Sequence, residues 1–278
     1  MLELAHPVRH LAFSPAGDLA VASGQDVWLV AGERPVKLPI GDDVECVAFR
    51  DARTLAIAGK TRGISIVEFG IELGGKPRVT RIEMECGWHT MLWSPDGKYI
   101  VGGQYEPWVS VIDVEARAEL RVLDPDEFDD SGRTAMLFAG ATLYTTAYNK
   151  LVRWRFADVI AGKAKCRMPK TGVTGHAHLL DLVAMPDGVL VALAEVEGHE
   201  AYLQKFAPTG EKLGKRVAVD ASTWRLAALG DSIVVSDSEG TRILDGDLLD
   251  DTISEVRALA AHGNRLAIGG SALRVIQR

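Results

Sequence analysis

Cysteine is scarce, aromatic residues are few, and no long apolar run occurs anywhere in the sequence. The three cysteines, Cys46, Cys86 and Cys166, are an odd number without CxxC spacing. That suits a reducing compartment better than a disulfide framework, and it supplies no zinc site. No run approaches the roughly 18 apolar residues a membrane helix needs. The longest candidate, Val189–Ala194, is the size of a strand. The opening MLELAHPVRH has no extended apolar core behind a basic region, so no secretory leader is expected. Basic excess is missing as well: 31 Lys and Arg stand against 38 Asp and Glu, for a net charge of −7. Nucleic-acid binding needs basic stripes that displace counterions, so no nucleic-acid partner is expected. The GxSxG elbow, HExxH, the P-loop and GxGxxG are all absent, so no motif points to an enzyme, a cofactor or a metal. These absences describe a cytoplasmic protein with no membrane partner. The Ala-, Val- and Gly-rich composition hints at a bacterial source.

What is present is a repeat. SPAGDLAVASG at 14–24, SPDGKYIVGG at 94–103 and MPDGVLVALAE at 185–195 share a turn-forming cluster followed by a short apolar segment. Weaker copies are RDARTLAIAG, AGATLYTTAY, LGDSIVVSDS and HGNRLAIGGS. Their first apolar residues are Leu19, Leu55, Tyr99, Leu143, Leu190, Ile233 and Leu266, spaced 33 to 47 residues apart by subtraction. A strand-like run precedes each turn, as in VRHLAFS, VECVAFR and HTMLWS. A third run follows, as in DVWLV, GISIVEF and WVSVIDV, and often a more polar fourth, such as RVTRIEM. Inner strands packed on both faces read as continuous apolar text, and an outermost strand turns polar. Gly, Pro, Asp and Asn interrupt the chain too often for helices. Repeats of this period build solenoids or propellers.

The text V-x-x-L-A-F-S-P-x-G-x-L-A at Val8–Ala20 and L-W-S-P-D-G-K-Y-I at Leu92–Ile100 resembles the WD40-type β-propeller family, as do the third strands DVWLV and WVSVIDV. The resemblance covers essentially the whole chain. It departs from the family pattern in having no terminal Trp-Asp pair, the nearest being Val111-Ile112-Asp113. Gly-His appears only at Gly175-His176 and, out of register, at Gly198-His199. The expected architecture is all-β: a seven-bladed β-propeller of four-stranded antiparallel blades in one domain, 1–278. The expected blades are 8–40, 44–85, 89–124, 133–169, 178–219, 222–253, and 256–278 together with 1–5. Blade 7 ends without a fourth strand, and Leu2–Ala5 precedes blade 1 as a spare one. Pairing Leu2–Ala5 with Leu273–Gln277 would close the ring and cover an exposed edge.

In family terms, the loops between second and third strands share a face with the connections between blades, and that face is the usual docking surface. Here it carries CGWHT (86–90), GQYEPW (103–108), TGHAH (174–178) and ASTWR (221–225). Trp, Tyr and Arg are the commonest interface anchors. One reading is a partner site of Trp88, His89, Tyr105, Trp108, Trp224 and Arg225. The other is that Trp88 and Trp224, at the starts of innermost strands, fill space between blades, and that Tyr105 and Trp108 pack around their proline. Trp28, Trp93 and Trp154 lie inside strand patterns and read as packing. The acidic runs at 124–133 and 245–255 read as solvated loops. His176 and His178, with Asp181 or Glu195, are the one arrangement of metal-ligand residue types, but no third ligand is specified. The expected function is a non-catalytic protein-interaction scaffold or regulatory subunit. The competing expectation is an enzyme or a small-ligand or metal binder working at the central channel.

Overall fold

The computed structural model describes residues 4–32, 34–38, 40–70, 76–85, 87–104, 108–123, 134–147, 150–163, 177–196, 200–244, 246–253 and 255–278. The fold is a seven-bladed β-propeller built from consecutive antiparallel sheets. Blade 1 holds β1 (Val8–Phe13), β2 (Leu19–Ser23), β3 (Asp26–Ala31) and β4 (Arg34–Leu38). Blade 2 holds β5 (Val44–Asp51), β6 (Thr54–Gly59), β7 (Gly63–Glu68) and β8 (Arg78–Ile82). Blade 3 holds β9 (Trp88–Trp93), β10 (Tyr99–Gln104), β11 (Val109–Asp113) and β12 (Ala118–Leu123). Blade 4 has β13 (Met136–Ala139), β14 (Thr142–Ala147) and β15 (Lys150–Arg155), then a short helix, α1 (Phe156–Ile160). Blade 5 holds β16 (Ala177–Ala184), β17 (Leu190–Val196), β18 (Glu200–Phe206) and β19 (Lys212–Val219). Blade 6 holds β20 (Arg225–Leu229), β21 (Ser232–Asp237), β22 (Gly240–Ile243) and β23 (Leu248–Asp250). Blade 7 has β24 (Ala258–His262), β25 (Arg265–Gly269) and β26 (Leu273–Gln277). Among the described residues, blades 4 and 7 thus have three strands each.

The apolar gradient follows the strand order. The second strands β2 and β6 are buried along their whole length, whereas β8, β12 and β19 on the outside are mostly exposed. The turns that join first to second strands repeat one device. Ser14 Oγ accepts from the Asp18 N–H at 3.0 Å, and Ser94 Oγ accepts from the Tyr99 N–H at 3.0 Å. Gly17 and Gly97 supply the left-handed backbone that each turn requires, with φ of 88° and 68°. A side chain at Gly97 would also run into the Arg50 side chain of the preceding blade.

The buried apolar residues form seven clusters rather than one core, and each lies between two consecutive blades. The cluster of Val8, Leu11, Leu19 and Val21 with Ala258 and Ala267 joins blade 1 to blade 7 and closes the ring. The Val8 N–H also donates to Gly270 O at 2.7 Å across this junction. The innermost strands follow one another around the axis, from β1 through β5, β9, β13, β16, β20 and β24 back to β1. Of the expected closing strand, 1–3 lie outside the described residues. Leu4 packs in the same cluster as Leu273. No helix among the described residues is long and apolar enough to cross a membrane.

Two expectations need correction. Phe156, the last residue of the expected third strand LVRWRF of blade 4, instead opens α1, which buries Phe156 and Val159 against blade 3. Part of the acidic stretch 245–255 is structural rather than solvated. Asp250 is buried, accepts from the N–H groups of Thr252 and Ile253, and pairs with Arg274 at 2.8 Å. These bonds hold its carboxyl below the usual carboxylate range even though burial opposes them. The 124–133 run lies outside the described residues.

Candidate functional site

Seven strands around one axis leave a channel, and its wall touches the innermost strand, or its lead-in, of every blade. The cavity measures 830 Å³, within the size range of ligand pockets. Its composition follows from one recurring backbone position, four residues before Phe13, Phe49, Trp93, Phe138, Ala184, Ala228 and Ala261, which pair with the start of each second strand. In blades 1, 2, 3 and 5 that residue sits in a β-bulge. The strand register skips Arg9, Glu45, His89 and Leu180. A bulge lifts one residue out of the ladder and re-aims its side chain. In blades 4, 6 and 7 the equivalent residues are Thr134, Trp224 and Arg257, just ahead of the ladder. All seven line the channel.

This ring is divided. Blades 7, 1, 2 and 3 contribute Arg257, Arg9, Glu45 and His89, and Thr134 follows. Blades 5 and 6 contribute Leu180 and Trp224, backed by Leu182 and Leu226. Further along the channel come His10, Asp181 and Arg225. Arg225 is positioned by backbone carbonyls: its Nε donates to Arg257 O at 2.7 Å and its Nη1 to Trp224 O at 3.2 Å. Asp181 accepts from the N–H groups of Leu182 at 2.9 Å and Leu226 at 2.8 Å, which ties blade 5 to blade 6. Arg257 pairs with Glu255 at 2.8 Å.

Two charged groups of the ring are not used in this way. Arg9 is exposed to the channel and makes no hydrogen bond or ion pair among the described residues. Glu45 is half-buried, and its Oε2 is fully buried without a hydrogen-bond partner. Burial raises the Glu45 carboxyl above its ordinary pKa, against the opposing fields of Lys60 and Arg9. The same environment acts on His10. Desolvation, reinforced by the positive charge of Arg225, lowers its pKa to about 4, so the imidazole is neutral at pH 7. Its Nδ1 accepts from the Val47 N–H at 3.5 Å.

Four of the six expected site residues, Trp88, His89, Trp224 and Arg225, line this channel. Trp88 itself is fully buried between blades 2 and 3, against Gly102, where an added Cβ would lie 2.1 Å from the indole. That is the packing reading, and it corrects the reading of Trp88 as a surface contact. Trp224 combines both roles: its indole N–H donates to Val256 O at 2.6 Å while its ring faces the channel. Trp108 is 42% exposed. It adjoins Val109, which pairs with Gly103, one step from the Gln104–Trp88 pair, so it stands at the same end of blade 3 as Trp88. Tyr105 lies outside the described residues. Trp93 and Trp154 are buried, and Trp28 is half-buried under Lys37, in keeping with packing. His178 stands opposite Glu195, and His176 lies outside the described residues. No group of three or more His, Cys, Asp or Glu suited to a metal occurs among the described residues.

Sequence reasoning missed Arg9, Glu45 and Arg257. The signal was an alignment column: seven innermost strands set in register by their turns put these residues at one position. No family model matches the chain, and no curated protein matches it.

Proposed function

We propose that the protein is a WD40-type, non-catalytic interaction module that receives a protein partner on the face bearing the channel mouth. The observation that carries this is the convergence of Trp108, Trp224, His89 and the arginines Arg9, Arg225 and Arg257 on one face. Trp108 is the single aromatic among the strongly exposed large apolar residues described. Exposed aromatics beside arginines are the usual anchors of protein interfaces. A ring of sheets locked by seven apolar clusters has no hinge, so the surface is preformed and loses little on ordering. A fold alone hosts many functions, so the reading rests on this face and not on the architecture.

A photo-crosslinking amino acid placed at position 108 or 257, in the source cell, tests the face. Adducts to a partner are expected from both positions and not from position 187, in a turn at the opposite end of blade 5. Equal crosslinking from 187, or none from 108 and 257, contradicts the proposal.

A further inference from the structure

The divided wall of the channel describes a second ligand besides a protein partner. Glu45 is a half-buried carboxyl without a hydrogen bond, which folding alone does not favour. Arg9, on the next blade, has no ion pair with it within 4.0 Å. Arg257 adjoins Arg9 around the ring. Opposite this polar arc, Leu180, Leu182, Trp224 and Leu226 offer an apolar wall. Polar and apolar groups share the lining nearly equally, so a ligand with one polar end and an apolar body matches both arcs.

We propose that the channel binds an amphiphilic monocarboxylate, its carboxylate between Arg9 and Arg257 and its apolar body against Leu180, Trp224 and Leu226. The planar guanidinium suits a carboxylate bidentately. One negative charge is the match. Arg257 is paired with Glu255 and the Arg225 guanidinium is held by backbone carbonyls, which leaves Arg9 as the arginine of the ring outside any ion pair among the described residues. A dianion such as phosphate would meet Glu45 and Glu255 without enough positive charge to answer them. The site shares Arg9, Arg257 and Trp224 with the proposed docking face, which Trp108 extends outside the channel lining.

Isothermal titration of the whole protein with phenylbutyrate tests this, with phenylbutanol, phenylbutylamine and inorganic phosphate as comparisons. Phenylbutyrate is expected to bind at least about tenfold tighter than the alcohol, the scale of one hydrogen bond to a charged group. The amine and phosphate should show no saturable binding. Arg9→Ala should weaken phenylbutyrate at least about tenfold, Arg9→Lys less, and Glu45→Gln should leave it equal or tighter, because the amide carries no charge to compete for Arg9. Thermal unfolding of each variant shows that it is folded. Preference for the amine or phosphate, unchanged affinity in Arg9→Ala, or no binding of any probe overturns the proposal. Crosslinking from position 108, outside the channel lining, in the otherwise unchanged protein reads the docking face separately.

Discussion

The two arcs of the channel ring occupy the same backbone position, yet differ in chemistry. On blades 7, 1, 2 and 3 that position holds Arg257, Arg9, Glu45 and His89; on blades 5 and 6 it holds Leu180 and Trp224. The fold therefore does not dictate the residue type there. A leucine or a tryptophan satisfies the position, and the bulge that presents Leu180 is the same irregularity that presents Arg9 and Glu45. Charged side chains on the polar arc answer to something other than packing. A local rule broken without a structural return is a mark of function.

The largest effect should come from undercutting the polar arc. Trp88 directly precedes His89 and fills the space over Gly102 between blades 2 and 3. Trp88→Ala should cost about 3–5 kcal/mol in urea unfolding, the range for emptying a buried Trp site. A cost near zero would mean that the indole is not the wedge between these blades.

The next effect is pH-dependent. The folded-state pKa of His10, about 4, is below its ordinary value of 6.5. Between those values the unfolded chain binds the proton and the native protein does not. Stability tied to His10 is therefore present above pH 6.5 and lost as pH falls towards 4, by up to roughly 3 kcal/mol. The lowered carboxyls of Asp42 and Asp250 act at lower pH, and the raised carboxyl of Glu45 acts with the opposite sign. His10→Gln should flatten the stability profile across that window; identical slopes in wild type and variant would show that His10 is solvated.

On the apolar arc, Trp224→Phe keeps the wall and removes the indole bond to Val256 O. It should cost about 1 kcal/mol while phenylbutyrate still binds. A large loss of binding would show that the indole N–H, not the apolar surface, matters there. The smallest effect belongs to Arg9→Ala, which should stay within about 0.5 kcal/mol of wild-type stability, as expected for a side chain without partners. A larger destabilisation would assign Arg9 to the scaffold and blur the distinction between the arcs.

The blades were readable because each is a local unit: Ser14-Pro-Ala-Gly and Ser94-Pro-Asp-Gly write the turn, and the decline from LAVAS to RVTRI writes the strand order. The face was readable too, since register places Trp88, Trp108 and Trp224 at corresponding strand ends. Which tryptophan is buried was not, because Trp88 and Trp224 hold similar places in text and differ only in having Gly102 to lie on or a channel to face. The polar ring was hidden for a different reason. In VRHLAF and VECVAF, Arg9 and Glu45 read as ordinary polar alternation, and a bulge that shifts the phase by one residue leaves no mark in the sequence. Likewise Phe156 closes the strand-like text LVRWRF, and nothing in that run marks it as the first residue of a helix.

The most direct test is a crystal structure of the protein with phenylbutyrate at saturating concentration. The account predicts the ligand inside the channel, its carboxylate against Arg9 and its ring against Trp224. Ligand density anywhere else, or an empty channel in a protein that binds the compound in solution, would contradict it.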